Sequence, residues 1–173
     1  MFAACNGLED VVQALLKSPD IEVNLKTSAT GETALYYSCV NEHVDIVKQL
    51  LAHPTTNTTI STSQGLTALH AVCMKGNLEL VKLLTDHPSF KELVNMVDSE
   101  KFTALHICIK AHAKMLEATT ESPENTKARD HLPCAAWLLE HGIDTEVQSC
   151  FGRTALHEAA YMGDLEVFKN CTC

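Results

Sequence analysis

Residues 65–88 read GLTALHAVCMKGNLELVKLLTDHP, and this stretch holds the local signals that decide the fold. Gly65 marks a tight turn. Thr67 follows, and its hydroxyl can accept an orphan amide of a first helical turn, so with short apolar residues behind it Thr67 opens a helix. Gly76 supplies the left-handed residue that ends this helix. Leu80, Val81, Leu83 and Leu84 then recur at spacings of three and four, which place them on one helical face, until Pro88 stops the second helix. The local unit is turn, short helix, turn, longer helix.

Laid against itself, the chain repeats this unit. Thr33-Ala34-Leu35-Tyr36, Thr67-Ala68-Leu69-His70, Thr103-Ala104-Leu105-His106 and Thr154-Ala155-Leu156-His157 follow one another at intervals of 34, 36 and 51 residues. Gly31, Gly65 and Gly152 precede three of the threonines, whereas Lys101 stands in that place before Thr103. A second apolar stretch completes each unit, at Val11–Leu16, Ile46–Leu51, Leu80–Leu84 and Ala135–Leu139. Pro19, Pro54, Pro88 and Gly142 end those helices. Units that recur in register at this period stack into a solenoid, because none can bury its apolar face alone.

The segment 65–88, and GRTALHEAAYMGDLEVFKN at 152–170, resemble the ankyrin repeat, and the resemblance covers essentially the whole chain. It implies an all-α ankyrin-repeat solenoid in which stacked helix-turn-helix units carry hairpin-like finger loops. The chain divides into a single domain over 1–173, with a partial repeat at about 1–26, repeats at 27–60, 61–97 and 98–146, and a partial repeat at 147–173. Both ends cut across a unit, so a longer protein is expected. Cys134 occupies the slot that would otherwise fall at 116, which leaves 18 added residues around 112–131. Their polar, proline-containing sequence predicts a solvated loop after a short helical extension through Met115-Leu116, with Ser122-Pro123 as a modification point.

Charge and cysteine content narrow the function. Twenty-two acidic residues against 13 basic ones give a net charge of −9 without any run of Lys or Arg, which opposes binding to a phosphate backbone. No stretch of 18 apolar residues occurs, so no membrane contact by this segment is expected. Eight cysteines without a secretory leader predict reduced thiols and an intracellular setting, cytoplasmic or nuclear. The array is expected to be monomeric.

Metal and catalytic chemistry find little support. His106, Cys108 and His112 form the densest ligand-type group, yet Cys108 takes the slot of Val72 and Ala159, which makes it a small packing residue, and His106 belongs to the helix start. No CxxC or HxxxH pair accompanies them. Cys39 and Cys73 share one slot and read as packing residues; Cys171 and Cys173 fall inside an unfinished helix, and Cys150, in a finger, is the best exposed thiol. No GxSxG and no phosphate-cradling glycine loop is present. We therefore expect no catalytic residue, no cofactor and no metal.

The resemblance implies binding through finger residues that flank the glycine and through the ends of the first helices. On matching positions these are Glu32, Gln64, Leu66, Glu100, Phe102, Phe151 and Arg153 from the fingers, and Asn41, Met74, Lys75, Tyr161 and Met162 from the helix ends. Apolar residues at such slots make the better anchors; Phe102 alternatively packs against a neighbouring finger. Asn24 and Asn95 match approximately the position at which some ankyrin proteins are hydroxylated. The function expected is a noncatalytic protein-interaction scaffold with a protein partner. The alternatives are a regulatory or targeting region of a larger enzyme, channel or ubiquitin-ligase adaptor and, third, a metal-binding or thiol-redox protein.

All four units carry Ala where the family prefers Pro after the threonine, at the first helical position. Ala68→Pro and Ala155→Pro should each stabilise the chain by about 0.4–1 kcal/mol, and a lower melting temperature would contradict the assigned helix start.

Overall fold

The computed structural model describes residues 1–121 and 131–161, with the side chains of 116–121 left aside. Ser122-Pro123, Met162, Gly163, Cys171 and Cys173 lie outside the described residues. Ten helices form among those residues: α1 (Phe2–Cys5), α2 (Glu9–Leu16), α3 (Ala34–Val40), α4 (Val44–Leu51), α5 (Ala68–Lys75), α6 (Leu78–Thr85), α7 (Phe90–Leu93), α8 (Ala104–Glu121), α9 (His131–Glu140) and α10 (Ala155–Tyr161). The fold is all-α, an array of stacked helical pairs. Connections of two or three residues make α2, α4 and α6 double back on α1, α3 and α5.

Two rows result. The first helices α1, α3, α5, α8 and α10 pack in succession, and α2, α4, α6 and α9 pack in a second row behind them. Leu35, Leu69 and Leu105 from the first row meet Ile46, Val47, Leu50, Leu80, Val81, Leu84 and Leu138 from the second, all buried. Each such side chain contributes about 1.5–3 kcal/mol by leaving water. Small residues fill the space between layers: Cys39, Cys73, Cys108 and Cys134 are fully buried, and none of Cys5, Cys39, Cys73, Cys108, Cys134 and Cys150 is joined in a disulfide. Burial pushes the Cys39 thiol well above its ordinary range, so it behaves as an apolar group.

Helix starts and stops follow the sequence. The threonines cap α3 and α5 from an extended backbone, and Thr33 Oγ1 accepts the Tyr36 amide at 3.2 Å. Gly76 ends α5 at φ +68°. Asn77 caps α6, its side-chain oxygen accepting the Leu80 amide at 3.1 Å. Glu42 occupies the place of Gly7 and Gly76 with φ +59°, a conformation unfavourable for a side chain bearing a Cβ.

Two features depart from expectation. α7, between α6 and the next finger, accounts for the longer interval of 36 residues: Phe90 and Leu93, three apart, bury one face of a single turn. The other is α8, which extends to Glu121 and not merely through Met115-Leu116, so the first part of the inserted stretch is helix where a loop was expected. His112 and Ala113 are buried on this extension, which shows that it packs on the array. His131 opens α9 with its ring against Gly76, and Nε2 bonds the Met74 carbonyl at 3.2 Å.

The fingers make a second ladder. Each closes on itself, for example Thr62 N–H to the Leu66 carbonyl at 2.9 Å and Ser149 N–H to that of Arg153 at 2.9 Å. Neighbours are then tied through one backbone bond apiece, each of 2.8 Å: Ser63 N–H to Thr30, Ser99 N–H to Gln64, and Cys150 N–H to Glu100. The turn residue is left-handed every time, and at Gly65 a Cβ would lie 2.9 Å from Asp98 Cα. Lys101 adopts the same geometry at φ +61°. Lys101→Gly should stabilise the chain by about 1 kcal/mol in urea melts, since it removes a Cβ from a left-handed turn; an unchanged or lower midpoint would show that the turn is unstrained.

Candidate partner-binding face

Beneath the fingers lies a bonding pattern built from the TALH sequence itself. Thr67 N–H donates to His70 Nδ1 at 3.2 Å, and the Thr67 hydroxyl lies 2.8 Å from the same nitrogen. Because Nδ1 accepts, the neutral ring carries its proton on Nε2, which donates to the Phe102 carbonyl of the next finger at 3.1 Å. His106 repeats the arrangement with Thr103 N–H at 3.3 Å and the Arg153 carbonyl at 3.2 Å. One imidazole thus closes a capping box and joins two units. Burial lowers the affinity of His70 and His106 for a proton, and the bonded carbonyls only partly offset this.

This commitment bears on the metal reading. Both His106 nitrogens are engaged, and the Cys108 thiol, directed at the Cys73 carbonyl at 3.9 Å, is held protonated by the neighbouring Cys73 and by burial. Among the described residues no three His, Cys, Asp or Glu side chains come together as a metal site. Asn24 and Asn95 likewise have structural duties: Asn24 bonds the Thr55 carbonyl at 2.6 Å and the Asn57 amide at 2.9 Å, while Asn95 accepts the Asp144 amide at 2.7 Å.

The described finger and helix-end residues expected to meet a partner differ widely in exposure. Met74, Phe151 and Tyr161 are exposed by 44%, 66% and 70% of their surface, unusually much for large apolar side chains. Gln64, Glu100 and Asn41 are also exposed, Asn41 with its amide on the Tyr37 carbonyl at 2.9 Å, whereas Leu66, Lys75, Glu32 and Arg153 are half-buried. The Glu32 carboxylate receives the Thr30 and Tyr37 hydroxyls, which hold it below the usual carboxylate range. Arg153 stacks over the Tyr161 ring at 4.2 Å and approaches the buried Glu158 at 3.8 Å.

Phe102 requires correction. Only 2% of it is exposed, so it cannot serve as an open anchor. Phe151 of the next finger covers it at 6.3 Å, His106 lies 5.7 Å away, and the Lys110 ammonium sits 3.7 Å from its ring centre. With no glycine before it, this finger is held by a buried ring. Sequence reasoning also overlooked Lys110, although counting from Thr103 places it in the slot of Met74 and Tyr161.

A depressed histidine affinity has a definite sign. The unfolded chain takes up protons near pH 6.5 while the folded chain resists them, so the stabilisation is complete above that pH and is lost as pH falls below it. The melting midpoint should drop between about pH 7 and about pH 5.5, and His70→Asn with His106→Asn should flatten that slope; an equal slope in the double variant would locate the protons elsewhere.

The comparison with protein families agrees with this architecture. Sequence models described as ankyrin repeats in three copies match residues 1–87 and 53–122, and one described as ankyrin repeats in many copies matches residues 127–169. With matches over most of its length and the TALH histidines bonded from unit to unit, the chain belongs to the ankyrin repeat family.

Proposed function

We propose that this chain is a noncatalytic protein-interaction module which grips a polypeptide partner along the face formed by the fingers and first helices. The observation that carries this reading is the exposure of Met74, Phe151 and Tyr161 on that face. A folded chain gains nothing from leaving two aromatic rings in water, whereas a partner that covers them gains their burial. The framework beneath is joined by the histidine bonds and the finger-to-finger ladder, so the face is formed before a partner arrives and binding costs less ordering than it would for a flexible loop.

Family membership supports protein binding and a noncatalytic role in general terms. Among the described residues no helix is long and apolar enough to cross a membrane. Free thiols at six positions suit a reducing compartment, and we place the protein inside the cell on that ground.

Phe151→Ala combined with Tyr161→Ala tests the face. Both rings are mostly exposed, but Phe151 also covers Phe102, so the melting temperature should fall modestly with the chain still folded, while binding to a partner recovered with the intact chain should weaken by about tenfold or more. A large fall in melting temperature with undiminished binding would assign the rings to the fold and the contact to another surface.

A further inference from the structure

The second-row helix α2 leaves open two slots that the later helices of its row close. Ile46 and Leu50 of α4, Leu80 and Leu84 of α6, and Cys134 and Leu138 of α9 hold these slots, each no more than 2% exposed. On α2 the same slots carry Val11 and Leu15, and these stand 46% and 47% exposed. Leu8 and Leu25, at 43% and 54%, extend the apolar strip. Beside it opens a cleft of about 140 Å³, lined by Leu15, Leu16, Ile21, Val23 and Leu25, which has room for one large apolar side chain.

The stack itself shows what fits such slots. α2 packs on α4, α4 on α6 and α6 on α9, so an occupant that continues the row is a helix with apolar side chains at spacings of three and four. Its charge is read from the same interface. Glu79 of α6 receives Lys48 of α4 at 3.2 Å, and on α2 the slot of Glu79 is held by Asp10. Around the strip Glu9, Asp10, Asp20 and Glu22 stand against Lys17 and Lys26, all exposed and none in an ion pair among the described residues. The local balance is acidic, like that of the chain, and a cation on the incoming helix meets Asp10 as Lys48 meets Glu79. A second copy of this chain is a poor match, because its own open helix, α2, begins with Glu9 and Asp10 and carries Gln13 in the slot of Lys48.

We propose that the α2 edge is a second docking surface, which takes a basic amphipathic helix of another polypeptide. Its apolar side chains cover Val11 and Leu15, one of them fills the cleft, and a lysine or arginine faces Asp10. The surface belongs to the second row, whereas the face proposed above is built from the fingers and first helices. Neither reading depends on the other.

Fluorescence anisotropy with the full chain provides the test. The probe is a labelled helical peptide with leucines at spacings of three and four and lysines on its flanks. Its controls are a scrambled peptide of the same composition and a Glu-for-Lys version. The amphipathic peptide should bind, weaken as salt is raised, and lose about tenfold in affinity in Val11→Ser with Leu15→Ser and also in Asp10→Lys. The Glu version should bind Asp10→Lys more tightly than the unaltered chain. If the serine variant does not fold, Asp10→Lys decides, since Asp10 is exposed. No binding, or equal binding of the scrambled peptide, would overturn the proposal, the latter because net charge alone would then account for the attraction. Binding abolished by Phe151→Ala with Tyr161→Ala would move the peptide to the finger face and overturn it too, leaving the interaction-module reading in place. A sedimentation coefficient that rises with protein concentration, and no longer does so in Leu15→Ser, would give the strip to a second copy instead.

Discussion

One neutral imidazole held between a helix start and the next finger governs most of this structure. His70 can accept from Thr67 and donate to Phe102 only in a single tautomer and a single orientation, so the local cap and the junction between units form together. A helix of seven or eight residues is too short to persist alone in water. Here its start is secured by a group that a neighbouring unit also needs. The same ring leaves no donor or acceptor unpaired in the layer where it is buried, which is why a polar residue is tolerated there.

Thin layers are the second requirement. Leucines from one row of helices face Ile, Val and Leu from the other, and the thiols of Cys39, Cys73 and Cys108 occupy the narrow spaces where first helices approach one another. The slots are not uniform in size, since Val72 takes the place of Cys108 and Ile109 that of Cys39 and Cys73, all fully buried, so each layer is packed to its own neighbours. Burial keeps the Cys39 and Cys108 thiols protonated, and with them two of the residues that invite metal or redox interpretations are accounted for as packing.

The sequence made the framework readable because caps and helix ends are local chemistry. Thr33 and Thr67 as N-caps, Gly76 as a terminator and the apolar spacing of α4 and α6 all act within a few residues of themselves. The inserted stretch was harder. Polar composition points to a loop, yet α8 continues because His112 and Ala113 find cover on the array, a contact that no window along the chain contains. α7 escaped notice for a similar reason, being one turn whose stability comes from the burial of Phe90 and Leu93. At the face, slot counting located the exposed Phe151 and Tyr161, while for Phe102 it offered both an open anchor and packing against a neighbouring finger; the second holds, and its cover from Phe151 lies 49 residues along the chain.

Tyr36 stands where His70, His106 and His157 stand in the other units, and it makes no bridge to the following finger. The junction between the units of α3 and α5 is held by packing, by the Ser63 to Thr30 backbone bond, by Asn77 donating to Glu42 at 3.1 Å and by the exposed Lys48 to Glu79 pair, while those from α5 to α8 and from α8 to α10 have a buried imidazole bond. A stack in which each layer touches only its neighbours opens first where the nearest-neighbour coupling is smallest. The first two helical pairs lack the buried histidine bond that the later junctions share, and on that count they are the part of the stack that opens first.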